Sequence, residues 1–135
     1  MRTAKNIFAW VFGILLITAG INHFIRPAFY AGFIPDWLPL LTVNYATGII
    51  EVALGFGMII PRSRRSAGIG TLLLMLFFLP LHLIDALREN PVIGSRLFAW
   101  IRLGLQFVLI YWAWFVVPPA KARCISAKRS PLPPP

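Results

Sequence analysis

Four long apolar runs constrain this chain more than any other feature. They cover roughly residues 6–24, 40–60, 67–86 and 97–117. At 1.5 Å per residue in a helix, each is long enough to cross a hydrocarbon layer of about 30 Å. Pro27, Pro35 and Pro39 follow the first run, Pro61 the second, and Pro118 and Pro119 the fourth; Pro91 and Gly94 precede the fourth. A transmembrane β-barrel would need short segments alternating apolar and polar residues, which the continuous octet Leu72 to Leu79 does not provide. The chain is 59% hydrophobic, and 13 basic and 4 acidic residues are too few to clothe a soluble bundle of 135 residues. The expectation is an all-α polytopic membrane protein. Residues 1–117 form a four-transmembrane-helix bundle, and 118–135 a basic, proline-rich cytoplasmic tail.

The formal net charge of +9 would suit nucleic-acid binding in a soluble protein. Its distribution argues for topology instead. Arg2, Lys5, Arg62, Arg64, Arg65, Lys121, Arg123, Lys128 and Arg129 all fall on one side of a four-span chain, with no acid among them. Basic flanks resist translocation, so both termini are predicted to be cytoplasmic, with the lipid bilayer rather than nucleic acid as the partner. Arg2 and Lys5 before an apolar run also resemble a signal peptide, but the run is long for a signal core, and cleavage would send the basic second loop outward. The tail reads as a flexible segment near anionic headgroups; its final prolines also fit a polyproline ligand. Cys124 is the only cysteine, which rules out an internal disulfide and an all-thiolate metal site.

A charged side chain at the bilayer centre costs about 3 kcal/mol unless it finds a partner, so polar residues within the spans are the natural functional candidates. They are Asn22 and His23 on span one, Asn44 and Glu51 on span two, His82 and Asp85 on span three, and Arg102 and Gln106 on span four. By position, all lie in the outer half of the bilayer or near its middle. This predicts a polar funnel opening outward, closed on the cytoplasmic side by apolar packing. Asn44, Gly48, Glu51 and Gly55 step by helical intervals and share one face, as do Ser95, Ala99, Arg102, Gln106 and Ala113. Glu51 and Arg102 are the expected ion pair, with the long arginine side chain covering a difference in depth of about one turn. His23 and His82 could serve as haem ligands or help bind a metal with Asp85, and His82 could carry a proton. A hydrogen-bonded interfacial histidine is the commoner role, and no metal site is predicted. Pro80 removes a backbone donor inside span three and should kink it.

The first outer segment, Arg26 to Pro39, carries Phe29, Tyr30, Phe33 and Trp37. Aromatic rings favour the headgroup region, so this loop is expected to anchor there, with a lid over the funnel as the alternative.

These residues resemble the DoxX-like family of small bacterial membrane proteins. Gly20, His23, Phe24, Pro27 and Tyr30 match its Gly-x-x-His-Phe-x-x-Pro-x-x-Tyr motif, and Thr47-Gly48-Ile49-Ile50-Glu51-Val52-Ala53-Leu54-Gly55 looks like its second span. Pro61-Arg62 with Arg64-Arg65 is similar to its basic turn, and Arg102, Gln106 and Trp112 to its fourth span. The third span departs from the family: Pro80-Leu81-His82 stands where many members carry Pro-Ala-Asn. The resemblance implies a four-helix bundle in a bacterial inner membrane. It also implies association, in some members, with thiosulfate oxidation to quinone or with redox-defence assemblies.

No nucleophile with an adjacent base, phosphate loop or cysteine cluster is present, so the chain is not expected to catalyse a reaction alone. The expected function is binding of a small or lipidic ligand, or of a partner membrane protein or second copy, through the polar cavity. The alternative is a quinone-interacting subunit of an oxidoreductase, with quinone or haem as the cofactor.

Overall fold

The computed structural model describes residues 2–117. The expected tail, with Cys124, lies outside the described residues. Four helices follow one another: α1 (Arg2–Ile25), α2 (Leu40–Ile59), α3 (Arg64–Leu87) and α4 (Arg96–Val116). Two 3-10 turns, Pro27–Phe29 and Ala31–Phe33, lie between α1 and α2. All four helices are long and apolar enough to cross a membrane. Their outward faces carry exposed apolar side chains such as Ile14, Ile49, Leu73, Phe77, Leu105 and Phe107, which would be untenable in water and suit a bilayer.

Helices α1 and α2 run antiparallel in close contact, and glycine explains how. A Cβ on Gly13 would lie 2.7 Å from the Gly55 carbonyl oxygen, and one on Gly55 would lie 2.6 Å from that of Gly13. Two turns away the relation repeats, at 2.6 Å for Gly20 against Gly48 and 2.8 Å for Gly48 against Gly20. Backbone therefore meets backbone at both points, the approach that small residues permit in membrane helices. The predicted stripe on α2 is its buried face: Asn44, Gly48, Glu51, Gly55 and Met58 are all buried.

The main apolar core lies towards the end holding the N terminus and the α2–α3 turn. It contains Ala9, Phe12, Leu16, Met58, Ala67, Met75, Ala113 and Val116. Phe12 packs on the Trp112 ring at 5.0 Å between centroids. A smaller cluster of Ala86, Ala99 and Leu103 joins α3 to α4 at the opposite end.

The end with the main core is not closed by apolar packing alone, contrary to expectation. Arg64 is 8% exposed. Its Nε donates to the Met58 carbonyl, Nη2 to the Ile59 carbonyl and Nη1 to Asn6 Oδ1. The last carbonyls of α2 lack helical partners, and the arginine's fixed fork of donors satisfies them.

At the other end, the segment after α1 crosses over the bundle to reach the α3–α4 loop before returning to α2. Arg88 Nη1 donates to the Gly32 carbonyl at 3.2 Å, and a Cβ on Gly32 would strike Val92. Gly94 adopts a left-handed φ of +73°, a conformation glycine reaches without steric cost, immediately before Ser95 opens α4. This is the lidded end.

Candidate functional site

The polar residues divide between two helix pairs. Between α1 and α2, the His23 backbone carbonyl belongs to the last turn of its helix, where carbonyls lack helical partners. Asn44 Nδ2 donates to it at 2.7 Å, and Asn44 Oδ1 lies 2.7 Å from His23 Nδ1. On the far side of the ring, His23 Nε2 is 3.6 Å from Glu51 Oε2. That oxygen is buried without a hydrogen-bond partner. His23, Asn44 and Glu51 are 6%, 1% and 5% exposed, so the group is closed to solvent.

Tyr30 covers this group. Its ring lies on the His23 ring at 3.7 Å and 13° from parallel, and its hydroxyl accepts a hydrogen bond from Asn22 Nδ2 at 2.8 Å. Burial pushes the phenol above its ordinary pKa; the Asn22 bond opposes the shift and Glu51 adds to it.

The second cluster joins α3 and α4. Asp85, 1% exposed, pairs through Oδ2 with Arg102 Nη2 and accepts the Val92 N–H on Oδ1 at 2.7 Å. Arg102 Nη1 donates to the Ile93 carbonyl at 2.7 Å, so the ion pair pins the α3–α4 loop. Phe33 stands over both Arg102, 5.7 Å from the ring centroid, and His82, at 5.9 Å. His82 Nδ1 is buried with no hydrogen-bond partner. Gln106 donates to the Met75 carbonyl, one residue before the Leu76 carbonyl that Pro80 leaves without its usual donor. Helix α3 nevertheless continues through Pro80.

The expected pairing of Glu51 with Arg102 does not form. Glu51 meets His23, and Arg102 meets Asp85. Comparing depths along the membrane made Glu51 and Arg102 neighbours, but the direction in which each helix face points decides the partner. The buried face of α2 turns to α1, whereas Arg102 turns to α3. A single funnel is therefore replaced by two separate polar clusters beneath one loop.

That loop also encloses a cavity of about 370 Å³ against the end of α3. Gly32, Phe33 and Asp36 form one wall, with Leu81, Ile84 and Arg88 opposite, and Asp85 contributes to the lining. The loop's aromatic residues divide accordingly. Tyr30 and Phe33 turn onto the polar clusters, while Trp37 is 81% exposed and remains available as a membrane anchor.

His23 Nδ1 is hydrogen-bonded to Asn44 Oδ1, and Nε2 faces the Glu51 carboxyl at 3.6 Å. Among the described residues no group of three His, Cys, Asp or Glu side chains converges to hold a metal ion. Arg64 and Asn6 were missed from sequence. The signal was a polar residue in the first turns of span one, able to reach a basic residue just past the end of span two.

Residues 12–117 match the family described as Domain of unknown function (DUF8561). Comparison with curated proteins and with solved structures found no match.

Proposed function

The chain belongs to the DUF8561 family, and we propose that it is a multi-pass membrane protein that binds a small or lipidic ligand at its lidded end. The carrying observation is the cavity of about 370 Å³. Its lining combines the charged residues Asp36, Asp85 and Arg88 with the apolar Leu81 and Ile84. Ile84 is also 53% exposed on the outer face of the bundle. An amphiphile could place a charged headgroup beside Arg88 and its chain along α3. By sequence, nine basic residues fall in the N-terminal, second-loop and C-terminal segments, which supports cytoplasmic termini and a cavity facing outward from the inner membrane. The sequence resemblance supports placing the chain near the DoxX-like proteins.

Purification in native-lipid discs followed by mass spectrometry tests this reading. A reproducible bound amphiphile, lost when Ile84→Trp fills the cavity and weakened by Arg88→Gln, is the expected result. Identical lipid content in the wild type and both variants would refute it.

A second reading, a quinone-contacting subunit, draws on the unpartnered His82 Nδ1 beside Phe33. A ring nitrogen and an aromatic face can hold a quinone headgroup. Saturable quinone binding abolished by His82→Leu would favour it over the lipid reading.

A further inference from the structure

The hydrogen bonds around His23 specify where its protons can be. A backbone carbonyl only accepts, so the Asn44 amide must turn its NH2 towards the His23 carbonyl, 2.7 Å away. The Asn44 oxygen is thereby directed at His23 Nδ1, also at 2.7 Å, and that nitrogen must carry a hydrogen. In a neutral imidazole the other nitrogen, Nε2, then has only a lone pair. This lone pair faces Glu51 Oε2 at 3.6 Å.

A carboxylate facing a lone pair repels it, and the arrangement becomes attractive when one proton lies between the two atoms. We propose that His23 and Glu51 are a proton-binding pair that carries one proton in common, on either Nε2 or Oε2. The proton sits either on Glu51, facing a neutral imidazole, or on His23, facing a carboxylate. Both forms have zero net charge. Losing the proton leaves a net negative charge and gaining a second leaves a net positive one, each buried at membrane depth, where unpaired charge is costly.

Among the described residues no competing counter-ion is shown beside the pair. Helix α1 contributes Asn22, α2 contributes Asn44, and the loop contributes Tyr30. At this end of α3 and α4, Asp85 and Arg102 pair with each other, His82 lies beside them against Phe33, and the buried Arg64 of α3 is held at the opposite end by Asn6 and the α2 carbonyls. Tyr30 lies flat on the His23 ring and belongs to the same loop as the cavity wall, so the lid rests on the proton-binding pair. This site is separate from the cavity and does not depend on ligand binding there.

Nitrogen-15 NMR of the full chain in lipid discs tests the assignment directly, because the protein has only two histidines and His82→Asn identifies the His23 signals. The expected wild-type result is a hydrogen on Nδ1 and an Nε2 shift that follows the proton carried by the pair. Over a pH titration, that shift and the Glu51 carboxyl stretch seen by isotope-edited infrared should change with a common midpoint. Glu51→Gln can still donate an N–H to Nε2, so it should stay folded while the carboxyl band disappears and the His23 midpoint moves. Asn44→Leu should release the ring to a mixture of tautomers. Finding the hydrogen on Nε2 alone in the wild type, or separate midpoints for the two groups, would overturn the proposal. So would a His23 titration indifferent to Glu51→Gln in a folded protein.

Discussion

Asp85 and Arg102 form an ion pair across the α3–α4 interface, and each also holds the loop between their helices, at Val92 and Ile93 respectively. A deeply buried carboxylate at the end of one membrane helix is thus neutralised by the next helix in sequence. Asp85→Asn keeps the shape but leaves the guanidinium without its counter-ion, at an expected cost of about 3 kcal/mol. Arg102→Met should cost a similar amount. The double variant should cost clearly less than the sum, as read by reversible unfolding in mixed micelles.

The glycine contacts make a sharper prediction because the chain carries its own control. Gly20→Ala places a Cβ 2.6 Å from the Gly48 carbonyl oxygen, so α1 and α2 must separate, losing about 1–3 kcal/mol. A Cβ on Gly104 meets nothing within 4 Å. Gly104→Ala should be neutral or stabilising by up to about 1 kcal/mol through helix propensity. Equal losses in unfolding assays of the two variants would contradict this packing.

Arg64 and Arg62 are close in sequence but differ in environment. Arg64 satisfies two terminal carbonyls of α2 and Asn6, whereas Arg62 is exposed. Arg64→Met should lower stability by about 2 kcal/mol. Arg64→Lys should recover only part, because an ammonium lacks the planar fork. Arg62→Met should change stability by no more than about 0.5 kcal/mol. Thermal unfolding in detergent would rank the three.

Tyr30 supplies an alkaline limit to stability. Its folded pKa lies above the unfolded value, so the folded state retains a proton that the unfolded chain loses. The stabilisation is complete below about pH 10 and is lost as pH rises from there through the folded pKa. Tyr30→Phe should remove that component of the decline, visible as a flatter stability profile above pH 10.

Topology can be tested with reporter fusions. If the basic residues set orientation, reporters active only in the cytoplasm should work when fused before α1 or after α4, and should fail when inserted at Asp36. The opposite pattern would invert the placement of the cavity.

The sequence alone determined that four helices form and which residues on them are polar. Helix formation and membrane insertion respond to the length and composition of local runs. It also identified the buried stripe of α2, since Asn44, Gly48, Glu51 and Gly55 recur at the helical period. Only the tertiary structure decided the partners. Gly13 and Gly20 bring α1 against Gly55 and Gly48, which turns Glu51 towards His23. Asp85 captures Arg102 because α4 packs along α3. Tyr30 and Phe33, legible only as membrane-interface aromatics, turn inward because the loop following α1 crosses the bundle. Sequence position gives depth along a helix, whereas contact also requires the direction each face points, and that direction is set jointly by all four helices packing together.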